Sequence, residues 1–300
     1  MRVDMDGGPS TLVIAGRPDD PPLAAAWAAV VELGLPGVFA DLSRDGVELS
    51  GSRLMVDGVE LDRASLTGLY LRVHGAQDPV LAAGLRDWAE LAPPSVRVVN
   101  RRTPSASNLS KPAQALVIRA AGFEVPTGLL TTDPEAAGAF VARHGKVIVK
   151  STSAVRSIVR LVDPDEDFSR VEWCPTQFQA FVPGVEFRAH VVGEEVFAHR
   201  IESSAVDYRY GSSTLVPAEL PDATGRRCVT LTRRLGLELS GLDLRRTPEG
   251  RWFCFEVNTS PVWSAYDEDG VIARALARHL SGHCPTESGT VTATHGPTAA

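Results

Sequence analysis

A mixed chain, α/β at its start and α+β afterwards, is the architecture this sequence predicts, and three observations predict it. "TLVIAG" (11–16), "LAAAWAAVVELG" (23–34) and "PGVFADL" (36–42) read as strand, helix and strand. "TQFQAFVPGVEFRAHVVGEEVFAHRIES" (176–203) carries two period-two runs that meet at Gly193-Glu194, which is a hairpin pattern. "LSGLDLRRTPEGRWFCFEVNTSP" (239–261) is a second hairpin, turning at Pro248-Glu249-Gly250.

The remaining elements follow in order. The first helix stops at Gly34, with Pro36 beyond it. The turn before it, "AGRPDDPP", lacks a GxGxxG, so no dinucleotide site is read there. "GVELS", "RLMVDGVEL" and "GLYLRV" continue as short strands, with turns at Gly51 and Asp57-Gly58. "DPVLAAGLRDWAELAP" (78–93) is a helix capped by Asp78 with Pro79 in its first turn, and "SVRVVN" (95–100) returns as a strand. "RRTPSASN" (101–108) is polar and turn-rich, a domain boundary. A helix then starts at the Ser110 cap and ends at Gly122. "FEVPTGLLTT", "KVIVKS" and "SIVRLV" read as strands. "DPEAAGAFVARHG", "ATGRRCVTLTRRLGLE" and "GVIARALARHL" read as helices, and the last eighteen residues as a disordered tail.

The bulk numbers narrow the function. A chain of 300 residues has room for two or three small domains. A net charge of −7 with well-mixed signs disfavours a nucleic-acid partner, although it leaves room for a local basic pocket. Cys174, Cys228, Cys254 and Cys284 are scattered without a CxxC pair, which fits reduced thiols in a cytoplasm. "MRVDMDGGPS" has no apolar signal region, and no apolar run is long enough to cross a bilayer, so a cytoplasmic protein without a membrane partner is expected.

The second hairpin carries the sharpest chemistry. A turn centred between Glu249 and Gly250 places Asp243 opposite Glu256, with Asn258 on the same sheet face. Two carboxylates opposed on one face repel, and a cation between them removes the repulsion. Mg2+ suits such a set, with water and phosphate completing its shell. The plainer alternative is an exposed outer face of an ordinary hairpin.

In the first hairpin Glu186, Arg188 and His190 share a face, and Arg200 is expected roughly opposite Arg188. Two arginines so placed either hold an anion such as phosphate or belong to Glu186–Arg188 and Arg200–Glu202 surface pairs. His190 and His199 read as packing or surface residues. Lys150 ends an apolar strand, where it either reaches a phosphate or snorkels to water. The hydroxyls and backbone N–H groups of "STSAVRS" after it can cradle phosphate, although the segment has no glycine. Lys111 at a helix start is a misfit with the helix dipole that a bound phosphate would relieve.

Lys111, Lys150, "FQAFVPGVEFRAHVV", "GLDLR" and "FEVNTSP", in this order, resemble the ATP-grasp family over about residues 95–282. The resemblance is greatest to RimK-type carboxylate–amine ligases and to graspetide synthetases, which cross-link ribosomal peptides. It implies the ATP-grasp fold: a small N-terminal α/β domain (1–104) and an ATP-grasp domain (105–282) whose two α+β subdomains enclose an ATP cleft, with a lid at about 125–182. It further implies that Lys111 and Lys150 bind phosphates. The segment Gln179, Ala180, Phe181 and Val182 would contact adenine, and Glu186 the ribose. Asp243, Glu256 and Asn258 would hold Mg2+ or Mn2+, and Arg188 and Arg200 would face the transferred phosphoryl group. The glycine-free loop departs from the family pattern, with Ser151, Ser153 and Arg156 as substitutes for the missing grip.

The implied reaction is ATP-dependent amide formation through an acyl phosphate, on small-molecule or peptide carboxylates and amines. A peptide macrocyclase, a small-molecule kinase and an inactive nucleotide-binding regulator are the rivals, and a homo-oligomer is left open. Asp207, Tyr208 and Arg209 either bind substrate or form an ordered polar loop. Arg72 and His74, at a strand end, are weaker substrate candidates, and "VWSAYDEDG" is expected to turn out towards the substrate.

Overall fold

The computed structural model describes residues 2–3, 11–150, 159–163, 165–203 and 213–282. The expectations for Ser151, Ser153, Arg156, Asp207, Tyr208, Arg209 and the tail lie outside these residues. Among the described residues, no helix is long and apolar enough to cross a membrane.

The first sheet is built from β1 (Arg2–Val3), β2 (Thr11–Gly16), β3 (Gly37–Asp41), β7 (Leu66–Arg72) and β8 (Arg97–Val99), in the order β1-β3-β2-β7-β8. Apart from β1 its pairs are parallel. That is why "TLVIAG" is an unbroken apolar run: a parallel strand is covered on both faces. One face carries α1 (Pro21–Glu32); the other carries α2 (Pro79–Glu90) and a meander of β4 (Val47–Ser50), β5 (Arg53–Val56) and β6 (Val59–Asp62). The Asp78 carboxylate caps α2 by accepting from the Val80 and Leu81 amides at 2.8 and 3.1 Å.

Two antiparallel sheets follow. A four-stranded sheet has the order β11 (Arg160–Leu161), β10 (Val147–Lys150), β12 (Thr176–Ala180), β9 (Gly128–Thr131), and α5 (Pro134–His144) packs on it. A five-stranded sheet has the order β15 (Ser213–Ala218), β14 (Glu195–Ser203), β13 (Val185–Val192), β16 (Leu239–Arg246), β17 (Trp252–Asn258). One face of it is apolar, with Ala189, Val191, Leu242 and Val257, and is covered by α4 (Lys111–Ala120) and α6 (Asp222–Arg234). The other face carries polar side chains.

The last helix, α7 (Val271–Ser281), returns to the first sheet and packs beside α1. A Cβ added at Gly68 of β7 would lie 2.5 Å from the Leu280 carbonyl oxygen, so glycine there lets the helix approach. One apolar cluster joins Leu12, Ile14 and Trp27 to Trp263, Ile272 and Leu280.

Several expectations are corrected. The 101–108 segment is helical, a four-residue α3 (Arg102–Ser105) followed by a 3-10 turn over Ala106–Leu109, rather than an open turn. "FEVPTGLLTT" pairs as a strand only over Gly128–Thr131, with Glu124 making an isolated bridge to Phe253. "VWSAYDEDG" does not turn outward. Trp263 is fully buried, and its Nε1 donates to the Tyr70 hydroxyl at 3.0 Å; burying that large ring outweighs the polar character of the segment around it.

Candidate active site

The polar face of the five-stranded sheet brings the candidate residues together. Register places Arg188 of β13 beside Asp243 of β16, and Asp243 beside Glu256 of β17; Asn258 lies opposite Gly241. The Asp243–Glu256 pairing does not come from the expected turn. Arg246 pairs with Trp252, which centres the turn on Glu249, and Leu244 pairs with Cys254. Between Leu244 and Asp243 the register shifts by one and Phe255 is the extra residue, a β-bulge. The bulge brings Glu256 opposite Asp243.

Ionic contacts tie the face together. Arg188 Nη1 is hydrogen-bonded to Asp243 Oδ1, and with its amide oriented to satisfy both groups Asn258 accepts from Arg188 Nη1 at 2.8 Å and Nη2 at 3.2 Å. Lys111, the first residue of α4, places Nζ 3.4 Å from Glu256 Oε2. The Ser110 hydroxyl caps α4, accepting from the Ala113 amide at 3.4 Å, with Pro112 in the first turn.

Lys111 and Lys150 are both buried, so the snorkelling alternative for Lys150 does not hold. Burial, and then Lys111, lower the Lys150 pKa to about 8, against the opposing pull of Glu256 and Asp243. Among the described residues three cations (Lys111, Lys150, Arg188) therefore face two carboxylates, an excess of one positive charge within a chain of net −7. Such a surplus suits a polyphosphate.

The donor set fits a hard divalent cation: two carboxylates and an amide are hard oxygen donors on one face, and such a cation completes its shell with phosphate oxygens and water. Among the described residues no group of three His, Cys, Asp or Glu is arranged for a metal; the third oxygen donor of this set is an amide, that of Asn258.

Two further amides, unread in the sequence, hold this face in place. Gln114 is almost fully buried one helical turn after Lys111. Its Nε2 donates to the Val257 carbonyl and its Oε1 accepts from the Val257 amide, both at 2.9 Å. β17 is an edge strand, so Gln114 supplies the pairing a neighbouring strand would, between Glu256 and Asn258. Asn100, at the end of the first sheet, donates to the Leu239 and Thr259 carbonyls at 2.6 and 2.7 Å and accepts from the Glu238 and Leu239 amides. A polar residue three positions after a helix-initial lysine was a faint signal for Gln114; nothing in "VRVVNRR" sets Asn100 apart from a loop residue.

The other expected residues are distributed as follows. Gln179 and Ala180 end β12, and Phe181 and Val182 lead towards β13. The Ala180 and Phe181 amides already donate to the Thr127 and Lys146 carbonyls. Glu186 is ion-paired with Arg245, whose guanidinium also lies 5.6 Å from the Phe181 ring and 5.1 Å from the Phe255 ring. His190 and His199 are buried against Tyr266, as packing residues, and Arg188 Nε contacts His190 Nε2 at 3.4 Å.

Two placements depart from expectation. Arg200 pairs with Phe187 and not with Arg188, whose partner is His199. One residue of register puts Arg200 on the opposite sheet face, where it pairs with Glu202 at 2.5 Å. Arg72 does not present a free guanidinium: it is buried, ion-paired to Asp20 at 3.0 Å, and donates to the Ser260 hydroxyl at 2.8 Å and the Pro261 carbonyl at 3.3 Å. It fastens the first sheet to the end of "FEVNTSP".

No family model and no curated protein sequence matches the chain. Solved structures do. The RiPP-associated ATP-grasp ligase of Chryseobacterium gregarium, in complex with ADP and a leader and core peptide, is 17% identical, with 92% of this chain and 98% of that one covered at a TM-score of 0.77. The ATP-grasp ligase PsnB, complexed with minimal precursor, Mg and ADP, is 25% identical, with 90% and 98% covered and a TM-score of 0.70. The D-Ala:D-Ser ligase VanG of Enterococcus faecalis is 16% identical, with 91% and 99% covered and a TM-score of 0.64. The chain has the ATP-grasp fold.

Proposed function

We propose that this chain is an ATP- and Mg2+-dependent carboxylate–amine ligase that forms an amide through an acyl phosphate. The observation that carries the reading is the convergence of Lys111, Lys150 and Arg188 on Asp243, Glu256 and Asn258. Lys111 and Lys150 hold the ATP phosphates, and the 179–182 segment and Glu186 border the nucleoside between the lid (about 125–182) and the five-stranded sheet. Asp243, Glu256 and Asn258 would hold Mg2+, which neutralises charge on the phosphate oxygens.

The substrate carboxylate oxygen attacks the γ-phosphorus; the bond to the β-phosphate oxygen breaks and ADP leaves. The amine nitrogen then attacks the acyl carbon, the carbon–oxygen bond to phosphate breaks, and the nitrogen gives up its proton. Arg188 stabilises charge on the transferred group, so the chain's contribution is positioning and electrostatics.

A peptide substrate, and with it macrocyclisation, is favoured over a free small acid. The C. gregarium ligase is complexed with a leader and core peptide and PsnB with a precursor peptide, and both are covered over nearly their whole length. Buried cysteines at 228 and 254 and the charge pattern fit a cytoplasmic location.

The test is ADP release with Mg-ATP, hydroxylamine, and a pool of amino acids, small carboxylates and acidic peptides, for wild type beside Glu256→Ala. Hydroxamate from wild type alone is expected, and its mass identifies the acid. A stable phosphorylated product without hydroxamate would make the chain a kinase, and absence of ATP binding would sink the reading.

A further inference from the structure

A cavity of about 490 Å3 lies between the end of the first sheet and the segment following Asn258. Thr259 and Ser260, the residues immediately after Asn258, line it, so it adjoins the catalytic face. Its wall carries Arg72, His74, Arg86, Arg101 and Arg102, and no Asp or Glu. Four arginines and a histidine without a carboxylate among the lining residues stand out in a chain of net −7.

Three of these cations are engaged. Arg72 is held by Asp20 and Ser260, Arg101 donates to four backbone carbonyls, and Arg102 pairs with Asp87 at 2.6 Å. Arg86 on α2 and His74 beyond β7 make no hydrogen bond or ion pair among the described residues. They lie close enough together for Arg86, after burial, to lower the His74 pKa. Across the same cavity the Asn108 Oδ1 atom is buried with no hydrogen-bond donor. The wall thus offers two unused N–H donors, the Arg86 guanidinium and the His74 imidazole, and one unused acceptor, complementary to a carboxylate with an N–H nearby.

We infer that this cavity anchors a second, non-reacting carboxylate of the substrate, held by Arg86 and His74, with an adjacent N–H donated to Asn108 Oδ1. A carboxylate held there is not the one phosphorylated, because none of Lys111, Lys150, Arg188, Asp243 and Glu256 lines the cavity. Its meaning as a substrate anchor rests on the ligase reading. Binding at a remote carboxylate holds the reacting one in place, and selects substrates with two acidic groups. A free dicarboxylic amino acid and an acidic residue within a peptide share this chemistry.

Isothermal titration of the full chain, without nucleotide, distinguishes the sources with three probes: L-glutamate, acetyl-Glu-Glu-amide and acetyl-Gln-Gln-amide. At least one acidic probe is expected to bind and the neutral one not. Arg86→Gln and His74→Gln, both exposed positions whose folding is checked by melting, should each weaken acid binding about tenfold, the loss of one charge-assisted contact. Affinity should rise from pH 8 to pH 6, since a bound carboxylate favours charged His74; Arg86, Arg72 and Asp20 are the charged groups facing it. Binding of L-glutamate alone marks an amino-acid substrate, and of the capped dipeptide alone a peptide. Equal binding of the neutral probe, unchanged affinity in both variants, or no acid binding overturns the inference. A separate Mg-ATP titration keeps the two readings apart: acid binding without ATP binding removes the ligase and leaves a carboxylate-binding cavity, and the converse removes the anchor alone.

Discussion

Asp243 faces Glu256 because Phe255 bulges out of β17; without that one residue the two carboxylates would sit out of register. Glu256→Gln or Asp243→Asn should lower hydroxamate formation by about 10²–10³, the scale for losing one group that stabilises transition-state charge. Mg2+-dependent thermal stabilisation by ATP should vanish with it. Retention of both in Glu256→Gln would remove the metal assignment.

Arg188 and Arg200 separate by face. On the proposed mechanism, Arg188→Ala should reduce turnover about 10²-fold or more, since Asp243 and Asn258 lose their shared partner and the transferred group its guanidinium. Arg200→Ala should change it by less than about threefold, because its exposed pair with Glu202 is worth about 0–1 kcal/mol. Steady-state kinetics of the two variants decide this, and a collapse in Arg200→Ala would return that residue to the site.

Gln114→Leu leaves the Val257 amide and carbonyl unpaired in the interior. Each stranded group costs about 1–3 kcal/mol, so urea denaturation should show a loss of about 2 kcal/mol or more. Gln114→Glu keeps the acceptor and restores part of it. Unchanged stability in the leucine variant would show that β17 needs no clamp.

Lys150, with a pKa of about 8, is partly neutral in mildly alkaline solution. A phosphate beside it favours the charged form, so Mg-ATP binding at pH 8–9 should take up a proton, and affinity should fall as pH rises through 8. Titration calorimetry in two buffers of different ionisation enthalpy counts the proton. A count of zero would separate Lys150 from the nucleotide.

His190 is pushed well below its ordinary pKa, first by burial and then by Arg188 and His199. Unfolded, it takes up a proton as pH falls through about 6.5, whereas in the fold it resists. The unfolded state then binds more protons, so stability should fall as pH drops below 6.5. Melting temperatures between pH 7.5 and 5.5 check the slope; a flat profile would mean His190 is not held neutral.

Much of this arrangement was legible in the chain. The two hairpins, the Asp78 and Ser110 caps and the shared face of Glu256 and Asn258 follow from alternation and capping, which are local. The Asp243–Glu256 pairing was legible only because two errors cancelled: a turn centre placed half a residue late, and a bulge that nothing in "FCFEV" announced. No such cancellation occurred in the first hairpin, so the one-residue error put Arg200 on the wrong face. Gln114, Asn100 and the inward course of Trp263 were not legible, because each depends on partners from 138 to 193 positions away.

The sequence by itself determined most of the elements and the chemistry of the candidate site residues, since side-chain periodicity and charge are written in consecutive residues. Tertiary structure decided which side chains meet: Lys111 with Glu256, Arg188 with Asp243, Arg72 with Ser260, and a cationic cavity beside them. The reason is physical. Period-two alternation fixes a face only up to register, and register is set by bulges, packing of the apolar face against α4 and α6, and buried amides that must find partners.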